Sequence, residues 1–286
     1  MTFIKHHLAC PQCGGSDPVS LNEDGSAKCF SCETYFLNYN KALTGEIVTE
    51  KETDTTALHG GDYVALTDRR ISEATARKYG VKSVLSSNGE IVQHHYPFYN
   101  KHELSATKTR YVRDKNFSVS GSFTGTGLFG EQLFQSGGKA ITLTEGECDA
   151  MASYELMGSK WASVSIKRGS SGAVKDVKES LEFLESFENV VICFDNDKQG
   201  IEAAKKVAML FQPSKAKIMA IPNGYKDAND MLRQNKHKEF IEAWWSAKVY
   251  TPSGVINVSE SKADFFDREK KESVLYPFKG LNEKLY

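Results

Sequence analysis

The alternation of strand and helix patterns after Gly137-Gly138 constrains the fold of this chain most strongly. Short apolar runs alternate there with longer stretches of helical pattern. Such alternation predicts a parallel sheet covered by helices, whose functional residues gather at the carboxyl ends of the strands. The predicted order is strand 139–144, helix 147–157, strand 161–166, helix 172–186, strand 189–194, helix 199–211 and strand 215–221.

Acidic residues follow several of these predicted strands. They lie after the first, third and fourth strands: Glu145, Asp149, Asp195, Asp197 and Asp227. Clustered carboxylates repel one another unless a divalent cation screens them, and oxygen ligands suit Mg²⁺. We expect these five residues to hold two Mg²⁺ ions about 4 Å apart, an arrangement used for in-line phosphoryl displacement. Each acid taken alone fits equally well as a helix-capping residue.

Four of the six cysteines form two close pairs near the start of the chain. Their spacing is C-x2-C, fifteen residues, then C-x2-C: Cys10, Cys13, Cys29 and Cys32. Two knuckles with this spacing present four thiolates to zinc, and a filled ligand set indicates one structural Zn²⁺. So small a segment needs such a metal to fold, although four unligated core cysteines remain the alternative.

Charged and aromatic residues accompany the cysteine pairs. Lys28, Phe30 and Tyr35 offer a cation and ring faces of the kind that bind unpaired bases. Aromatic residues beside a zinc site equally often form the small core of such a module. We keep these three residues as candidates for contact with a nucleic-acid template.

Five segments follow from the changes in pattern along the chain. We expect a small all-β zinc ribbon at 1–40, a flexible linker at 41–61, an α+β subdomain at 62–138, a catalytic α/β subdomain at 139–250 and a second linker at 251–286. In the α+β subdomain the sequence predicts a helix with Ser72 as its N-cap and Gly80 just beyond its end. Extended runs are predicted at 91–99 and 107–112.

The overall charge does not single out a partner. The chain has 36 Lys and Arg against 37 Asp and Glu, so a nucleic-acid surface must come from local clustering of charge. No stretch reaches the 18 or more apolar residues of a membrane span, and the first residues lack the apolar core of a signal peptide. We expect no membrane association and a location in the cytoplasm, that of a host cell if the protein is viral.

Basic residues cluster in two places. Lys108, Arg110, Arg113 and Lys115 lie on extended segments near Tyr111 and Phe117, a pattern that suits a groove for a nucleic-acid backbone. Lys167 and Arg168 follow a strand and precede a helix, which should place two cations beside the acidic cluster. A solvated strand face and an ordinary charged loop are the alternatives.

The acidic motifs resemble those of the Toprim fold, in which a strand-end Glu-Gly, here Glu145-Gly146, is followed two strands later by Asp-x-Asp, here Asp195 and Asp197. The order of zinc ribbon, linker, α+β subdomain and Toprim subdomain is similar to that of DNA primases, above all to the primase half of phage-type bifunctional primase-helicases. Further similar segments are 65–67, 70–72, 113–117, 128–130, 144–147, 226–229 and 280–284.

This resemblance implies a DNA primase that makes short RNA primers on single-stranded DNA from ribonucleoside triphosphates. It implies Mg²⁺-dependent nucleotidyl transfer, with Glu145 as the candidate that activates the attacking 3′-hydroxyl, and a replicative helicase and a DNA polymerase as partners. The sequence contains no G-x-x-x-x-G-K-[ST] loop, so we expect no motor activity. The alternatives are a non-catalytic zinc and Toprim recombination mediator, a Toprim nuclease or topoisomerase fragment, and a zinc-ribbon adaptor.

Overall fold

The computed structural model of the protein describes residues 3–12, 14–29, 34–36, 38–44 and 60–252. Three β-sheets and eight α-helices lie in these ranges. No helix of the described residues combines the length and the apolar composition that crossing a bilayer requires.

The first sheet is small and antiparallel. Its strands pair in the order β1-β2-β3-β4, and a short helix α1 follows. The bounds are β1 Phe3–Leu8, β2 Val19–Asn22, β3 Ala27–Cys29, β4 Tyr35–Phe36 and α1 Tyr39–Leu43. Cys10 and Cys29 are buried in its core beside Val19, Phe36 and Tyr39. Apart from α1, the regular elements among the described residues of this segment are β-strands.

The second sheet is an antiparallel meander in the order β5-β6-β7-β8, preceded by helix α2. Its elements are α2 Glu73–Tyr79, β5 Lys82–Leu85, β6 Ile91–Asn100, β7 Glu103–Tyr111 and β8 Phe117–Gly121. The predicted ends of α2 are confirmed. The Ser72 hydroxyl accepts a hydrogen bond from the Thr75 amide, and Gly80 has φ 73°, the left-handed conformation that favours glycine at a helix end.

The third sheet contains the predicted parallel strands in the order β10-β9-β11-β12, with an antiparallel strand β13 at the edge. Its strands are β9 Ile141–Thr144, β10 Ala162–Ser165, β11 Val190–Cys193, β12 Ala216–Ile218 and β13 Lys248–Val249. Its helices are α3 Glu147–Leu156, α4 Ala173–Glu179, α5 Leu181–Glu185, α6 Lys198–Ala208, α7 Ala228–Arg233 and α8 His237–Trp245.

One prediction for this sheet is wrong in detail. The sequence predicts a single helix over 172–186, whereas the structure has α4 and α5 separated at Ser180. Ser180 has φ −114° and ψ 21°, outside the helical range, and its amide donates to the carbonyl of Val177, three residues back. The apolar spacing continues through the break, so the sequence pattern does not reveal it.

The second and third sheets share a hydrophobic core. Tyr79 and Tyr96 from the antiparallel side pack in one cluster with Met151 of α3 and with Trp244 of α8. The Tyr79 hydroxyl also donates to the carbonyl of Ser163 in β10 over 2.8 Å. The opposite face of the parallel sheet has its own cluster, formed with α4, α5 and α6. This packing fixes the antiparallel sheet beside the carboxyl ends of the parallel strands.

Candidate active site

Three carboxylates meet at the carboxyl edge of the parallel sheet. Asp149 lies in the first turn of α3, Asp195 follows β11, and Asp227 caps the N-terminus of α7. One oxygen from each of these residues lies within 4.8 Å of the others. We call Asp149, Asp195 and Asp227 the acidic triad. Because β9 and β11 are adjacent parallel strands, their loops deliver the first two acids to the same place.

Glycines make room for two of these acids. A Cβ atom on Gly146 would lie 2.6 Å from the Asp149 carboxylate, and one on Gly200 would lie 2.3 Å from the Asp195 carbonyl. A larger residue at position 200 would clash with backbone, and one at position 146 would displace the Asp149 carboxylate. The glycine of the Glu145-Gly146 pair therefore has a local reason: it allows the carboxylate of α3 to turn toward the sheet edge.

Glu145 and Asp197 lie beside the triad. One oxygen of Glu145 accepts a hydrogen bond from the Ser170 amide over 3.0 Å, and the other is buried without a hydrogen-bond partner among the described residues. Asp197 is exposed and caps α6 by accepting from the Gly200 amide over 2.8 Å. Asp197 thus has the helix-capping role that was the alternative for each acid in the sequence.

Burial and mutual repulsion raise the proton affinity of this edge. The pKa of Asp149 lies well above its ordinary value because the group is buried and faces Asp227 and Asp195. Burial raises the pKa of Asp195 as well, although the Lys226 ammonium, 2.8 Å away, opposes the rise. The pKa of Glu145 is raised by burial and by the nearby Asp195 charge. A group of carboxylates in this state suits a bound cation.

The acidic triad opens into a cavity of about 340 Å³ whose other walls are basic and aromatic. Arg69 contributes from the loop before α2, and Lys108 and Arg110 contribute from β7. Phe117 and Tyr96 complete the antiparallel side of the cavity. The cavity, which we call the catalytic cavity, therefore lies between the acidic edge of one sheet and a basic face of the other. A phosphate-bearing ligand that is bridged by a cation matches this division of charge.

Lys108 has a partner within the protein. Its ammonium lies 2.7 Å from Glu147, whose side chain is buried, and it also donates to the Lys167 carbonyl over 3.1 Å. Lys108 is among the residues we expected to bind phosphate. In the structure it joins β7 to the first turn of α3, so its charge is already compensated.

Arg69 and Asn229 are site residues that sequence reasoning missed. The Arg69 guanidinium donates to the Asn229 side-chain oxygen over 3.3 Å. The backbone amide of Asn229 donates to the Asp149 carboxylate over 2.9 Å. The Asn229 side chain donates in turn to the Arg69 carbonyl over 2.8 Å. Both lie in or beside segments on which the resemblance rests, 70–72 and 226–229. That similarity was the available signal, because neither residue belongs to a periodic pattern.

Arg113 and Lys115 occupy the turn between β7 and β8, and both are exposed. Neither belongs to the described lining of the catalytic cavity. A role for them is confined to a ligand that extends beyond it.

The placement predicted for Lys167 and Arg168 is not what the structure has. Lys167 is 1% exposed, and its ammonium donates to the Thr126 carbonyl over 2.8 Å and to Glu179 over 2.6 Å. Arg168 pairs with Asp176 and stacks over the Phe123 ring. Both side chains are thus engaged in ion pairs with residues of α4. The sequence places the backbone of these residues at the strand end but does not specify the direction of the side chains.

Of the four cysteines in the two close pairs, the structure describes Cys10 and Cys29, and their amides make equivalent hydrogen bonds. The Cys10 amide donates to the Gly15 carbonyl over 2.8 Å, and the Cys29 amide donates to the Thr34 carbonyl over 2.9 Å. Each bond spans five residues. Cys13 and Cys32, with the template candidate Phe30, lie outside the described residues. Lys28 is exposed on β3, and Tyr35 belongs to β4.

The sequence and the fold are similar to those of known proteins. Residues 142–232 match the family model described as Toprim-like. The chain is 32% identical over 266 residues to the DNA helicase/primase of Enterobacteria phage T3, which covers 90% of this chain and 46% of the phage protein. The chain thus spans about half the length of the curated relative it matches.

Two solved structures are similar to this chain, and each match covers nearly all of the other protein's chain. The crystal structure of the primase fragment of the bacteriophage T7 primase-helicase protein matches with a TM-score of 0.61 and 30% identity, over 85% of this chain and 100% of the fragment. The second structure is that of bacteriophage T7 lagging-strand DNA polymerase interacting with primase domains of two gp4 subunits bound to an RNA/DNA hybrid and dTTP. One chain of this complex matches with a TM-score of 0.60 and 32% identity. That match covers 66% of this chain and 94% of the other. The parallel half is therefore a Toprim-type fold, and the chain belongs to the family of primase domains found in phage primase-helicases.

Proposed function

We propose that this protein is a DNA primase that joins ribonucleotides on a single-stranded DNA template in a reaction that depends on Mg²⁺. The observation that carries the proposal is the catalytic cavity, in which the acidic triad faces Arg69 and Arg110. Nucleotidyl transfer between two triphosphates needs cation ligands on one side and phosphate-binding groups on the other. A cavity with both walls supports this chemistry.

The residues of the acidic edge fit a divalent cation. Asp149, Asp195 and Asp227 would hold it. Glu145, whose carboxyl group is affected by the charges of Asp195 and Asp197, would complete the two-ion site we expect together with Asp197. The pKa of Asp149 and the pKa of Glu145 are both raised by burial and by neighbouring carboxylates. Ionising these groups is therefore unfavourable in the metal-free protein, and a bound cation would remove that penalty. When bound, two Mg²⁺ ions stabilise the attacking and leaving oxygens of an in-line displacement.

The protein's own groups would position the reactants. Glu145 has one oxygen fixed by the Ser170 amide and one buried without a described partner. Because Glu145 lines the catalytic cavity, this second oxygen would accept the proton of an attacking 3′-hydroxyl bound there. Arg69 is held by Asn229, which is itself bonded to Asp149, so a phosphate bound by Arg69 lies at a fixed place relative to the triad. Such positioning supplies much of the catalysis in phosphoryl transfer.

The first 40 residues would hold one structural Zn²⁺ through Cys10, Cys13, Cys29 and Cys32. The equivalent hydrogen bonds of the Cys10 and Cys29 amides, each to the carbonyl five residues later, support two metal-binding knuckles. In this proposal Lys28, Phe30 and Tyr35 contact unpaired template bases, while Arg113 and Lys115 contact the template backbone beyond the cavity. Residues 251–286, of which 253–286 lie outside the described part, would lead toward a helicase domain or partner.

The partners follow from the relatives. The phage T3 protein is named a helicase/primase, and the T7 complex contains a DNA polymerase with primase domains. We propose a replicative helicase and a DNA polymerase as partners here too.

One experiment tests the proposal directly. The protein is incubated with single-stranded DNA templates, radiolabelled ribonucleoside triphosphates and MgCl₂, and the products are separated on a denaturing gel. We expect short RNA that disappears without Mg²⁺, without template and in the Asp195→Ala variant. Template cleavage instead of RNA synthesis would favour a nuclease, and DNA binding with neither product would favour a recombination mediator.

A further inference from the structure

One face of the antiparallel sheet runs from the core out into the catalytic cavity. In an antiparallel pair, residues directly opposite each other project to the same face. His94 of β6 pairs with Arg110 of β7, which pairs with Phe117 of β8. The next row on this face is Tyr96, Lys108 and Val119. On this face, β6 therefore carries aromatic side chains, β7 carries basic side chains and β8 carries apolar side chains.

The two ends of this face have different surroundings. At β6, Tyr96 is buried in the core shared with the parallel half, and His94 is buried beside it. At β8, Phe117 is 51% exposed and Val119 is 47% exposed. We call Phe117 and Val119 the β8 shelf. The sheet therefore extends past the core that it covers, and its apolar inner face continues as an open surface.

Phe117 stands at the wall of the catalytic cavity. Its ring lines the same cavity as Asp149 and Asp195. The Lys108 ammonium lies 4.9 Å from the ring centroid, and the Arg110 guanidinium lies 5.8 Å from it. Cations at these distances are attracted to a ring face and hold the ring in place. The result is an exposed aromatic ring beside two basic side chains of the cavity wall.

A nucleotide has both of the complementary parts: a flat base for the Phe117 ring, and a phosphate for the Arg69 and Arg110 guanidinium groups that line the same cavity. Every nucleobase offers a face for stacking, so an aromatic ring binds bases without selecting among them. An ordinary peptide has no phosphate groups, and a phospholipid has no aromatic base, so neither complements both the ring and the charges of the cavity wall. The charge and shape of the cavity wall thus favour one occupant for the β8 shelf.

We propose that Phe117 stacks on a nucleobase bound in the catalytic cavity. The inference rests on the proposed primase function and deepens it by assigning a base-binding residue to the site. The base belongs either to the DNA template or to a ribonucleoside triphosphate, and both present the same stacking face.

The test uses a fluorescent base that is quenched by stacking, in two forms: 2-aminopurine within a single-stranded oligodeoxynucleotide, and 2-aminopurine ribonucleoside triphosphate. Binding and quenching are titrated in MgCl₂ with the full chain. The variants are Phe117→Leu, which keeps an apolar side chain without a ring, and Phe117→Trp, which restores a stacking face. Tyr111→Leu is the matched control, because Tyr111 is a neighbouring exposed aromatic whose hydroxyl contacts Ser118 on the opposite face.

We expect Phe117→Leu to weaken binding of at least one probe roughly 5- to 150-fold and to abolish its quenching, the range typical for loss of one stacked base. Phe117→Trp should restore both, and Tyr111→Leu should behave as the unchanged protein. A defect with the oligonucleotide assigns the base to the template, and a defect with the triphosphate assigns it to the nucleotide.

Equal affinity and equal quenching in Phe117→Leu and the unchanged protein, for both probes, would overturn the inference. So would equal losses in Phe117→Leu and Phe117→Trp, since a ring would then not be what matters. Neither result bears on RNA synthesis by the unchanged protein, which tests the proposed function separately. Thermal denaturation of each variant shows that the fold is retained, as expected at a half-exposed position.

Discussion

The Lys108 ammonium lies 2.7 Å from the carboxylate of Glu147, and 15% of the lysine side chain and 5% of the glutamate side chain are exposed. This ion pair joins β7 to α3 across the catalytic cavity. Removing one partner leaves the other charge buried and uncompensated, which typically costs about 3 to 5 kcal/mol. We therefore expect Lys108→Met to lower the free energy of unfolding by about 3 kcal/mol, as measured by urea denaturation.

The double variant Lys108→Met/Glu147→Gln should recover much of that loss, because no unpaired charge remains. An equal or greater loss in the double variant would show that the contacts of the aliphatic chain, not the ion pair, are what Lys108 contributes. Lys101→Met, in the exposed turn between β6 and β7, is a control in which stability should not change.

Asp149→Asn should stabilise the metal-free protein at neutral pH. Burial and the neighbouring Asp227 raise the pKa of Asp149 well above its ordinary value of 3.8. The folded state therefore binds this proton more tightly than the unfolded state, so stability falls as pH rises above 3.8 toward the folded-state pKa. In EDTA, the Tm of the variant should exceed that of the unchanged protein at pH 7, and the two should converge near pH 4.

The same variant tests cation binding. MgCl₂ at ten times its Kd stabilises a one-site protein by about 1.4 kcal/mol, so the Tm of the unchanged protein should rise with Mg²⁺. The rise should be smaller in Asp149→Asn and undiminished in the exposed control Asp114→Asn. An identical response in Asp149→Asn would exclude this carboxylate as a ligand.

Asp197 has two roles that different substitutions separate. Its side chain caps α6 through the Gly200 amide, so Asp197→Ala should lose about 1 kcal/mol of stability, whereas Asn can accept the same bond. If the charge of Asp197 also serves the metal site, both variants should lose RNA synthesis while Ala alone lowers the Tm. Full synthesis by Asp197→Asn would leave capping as the sole role.

Cys29→Ser should release zinc and unfold only the segment around the first sheet. Cys29 is buried in a core that is separate from the shared core of the other two sheets. Zinc content by absorption spectrometry, with limited proteolysis to locate the unfolded part, measures both effects. Loss of structure throughout the chain would contradict the predicted independence of residues 1–40.

Removal of residues 1 to 60 should separate template choice from catalysis. The acidic triad and the catalytic cavity lie entirely within residues 60–252, so the shortened protein should still join nucleotides weakly. Carboxylates and arginines that bind phosphate do not identify bases, so the choice of start site should be lost. Start sites are mapped for both proteins on templates that contain every trinucleotide. Identical preferences would assign template recognition to the catalytic part.

The sequence predicted the parallel sheet well because each strand and helix there has its own local pattern. It placed Asp149 and Asp195 at strand ends, and the adjacency of β9 and β11 brought them together. Long-range contacts were not predictable in this way. Arg69 and Asn229 are 160 residues apart, and no local pattern pairs them. The directions of side chains were not predictable from the sequence either. Lys167 pairs with Glu179 of α4, whereas Lys108 pairs with Glu147 in the wall of the catalytic cavity. The two-residue strand β13 is too short to show a period.

The hydrophobic cluster that unites Tyr79, Tyr96, Met151 and Trp244 has a consequence for exchanging parts between relatives. A chimaera that joined the antiparallel half of this protein to the parallel half of another would replace one side of a packed interior and leave the opposite side unmatched. Cavities and clashes of that kind commonly cost several kcal/mol, a large share of the stability of a whole domain. Residues 60–252 should thus be inherited and engineered as a single block, whereas residues 1–40, whose core is separate, are the natural unit to swap.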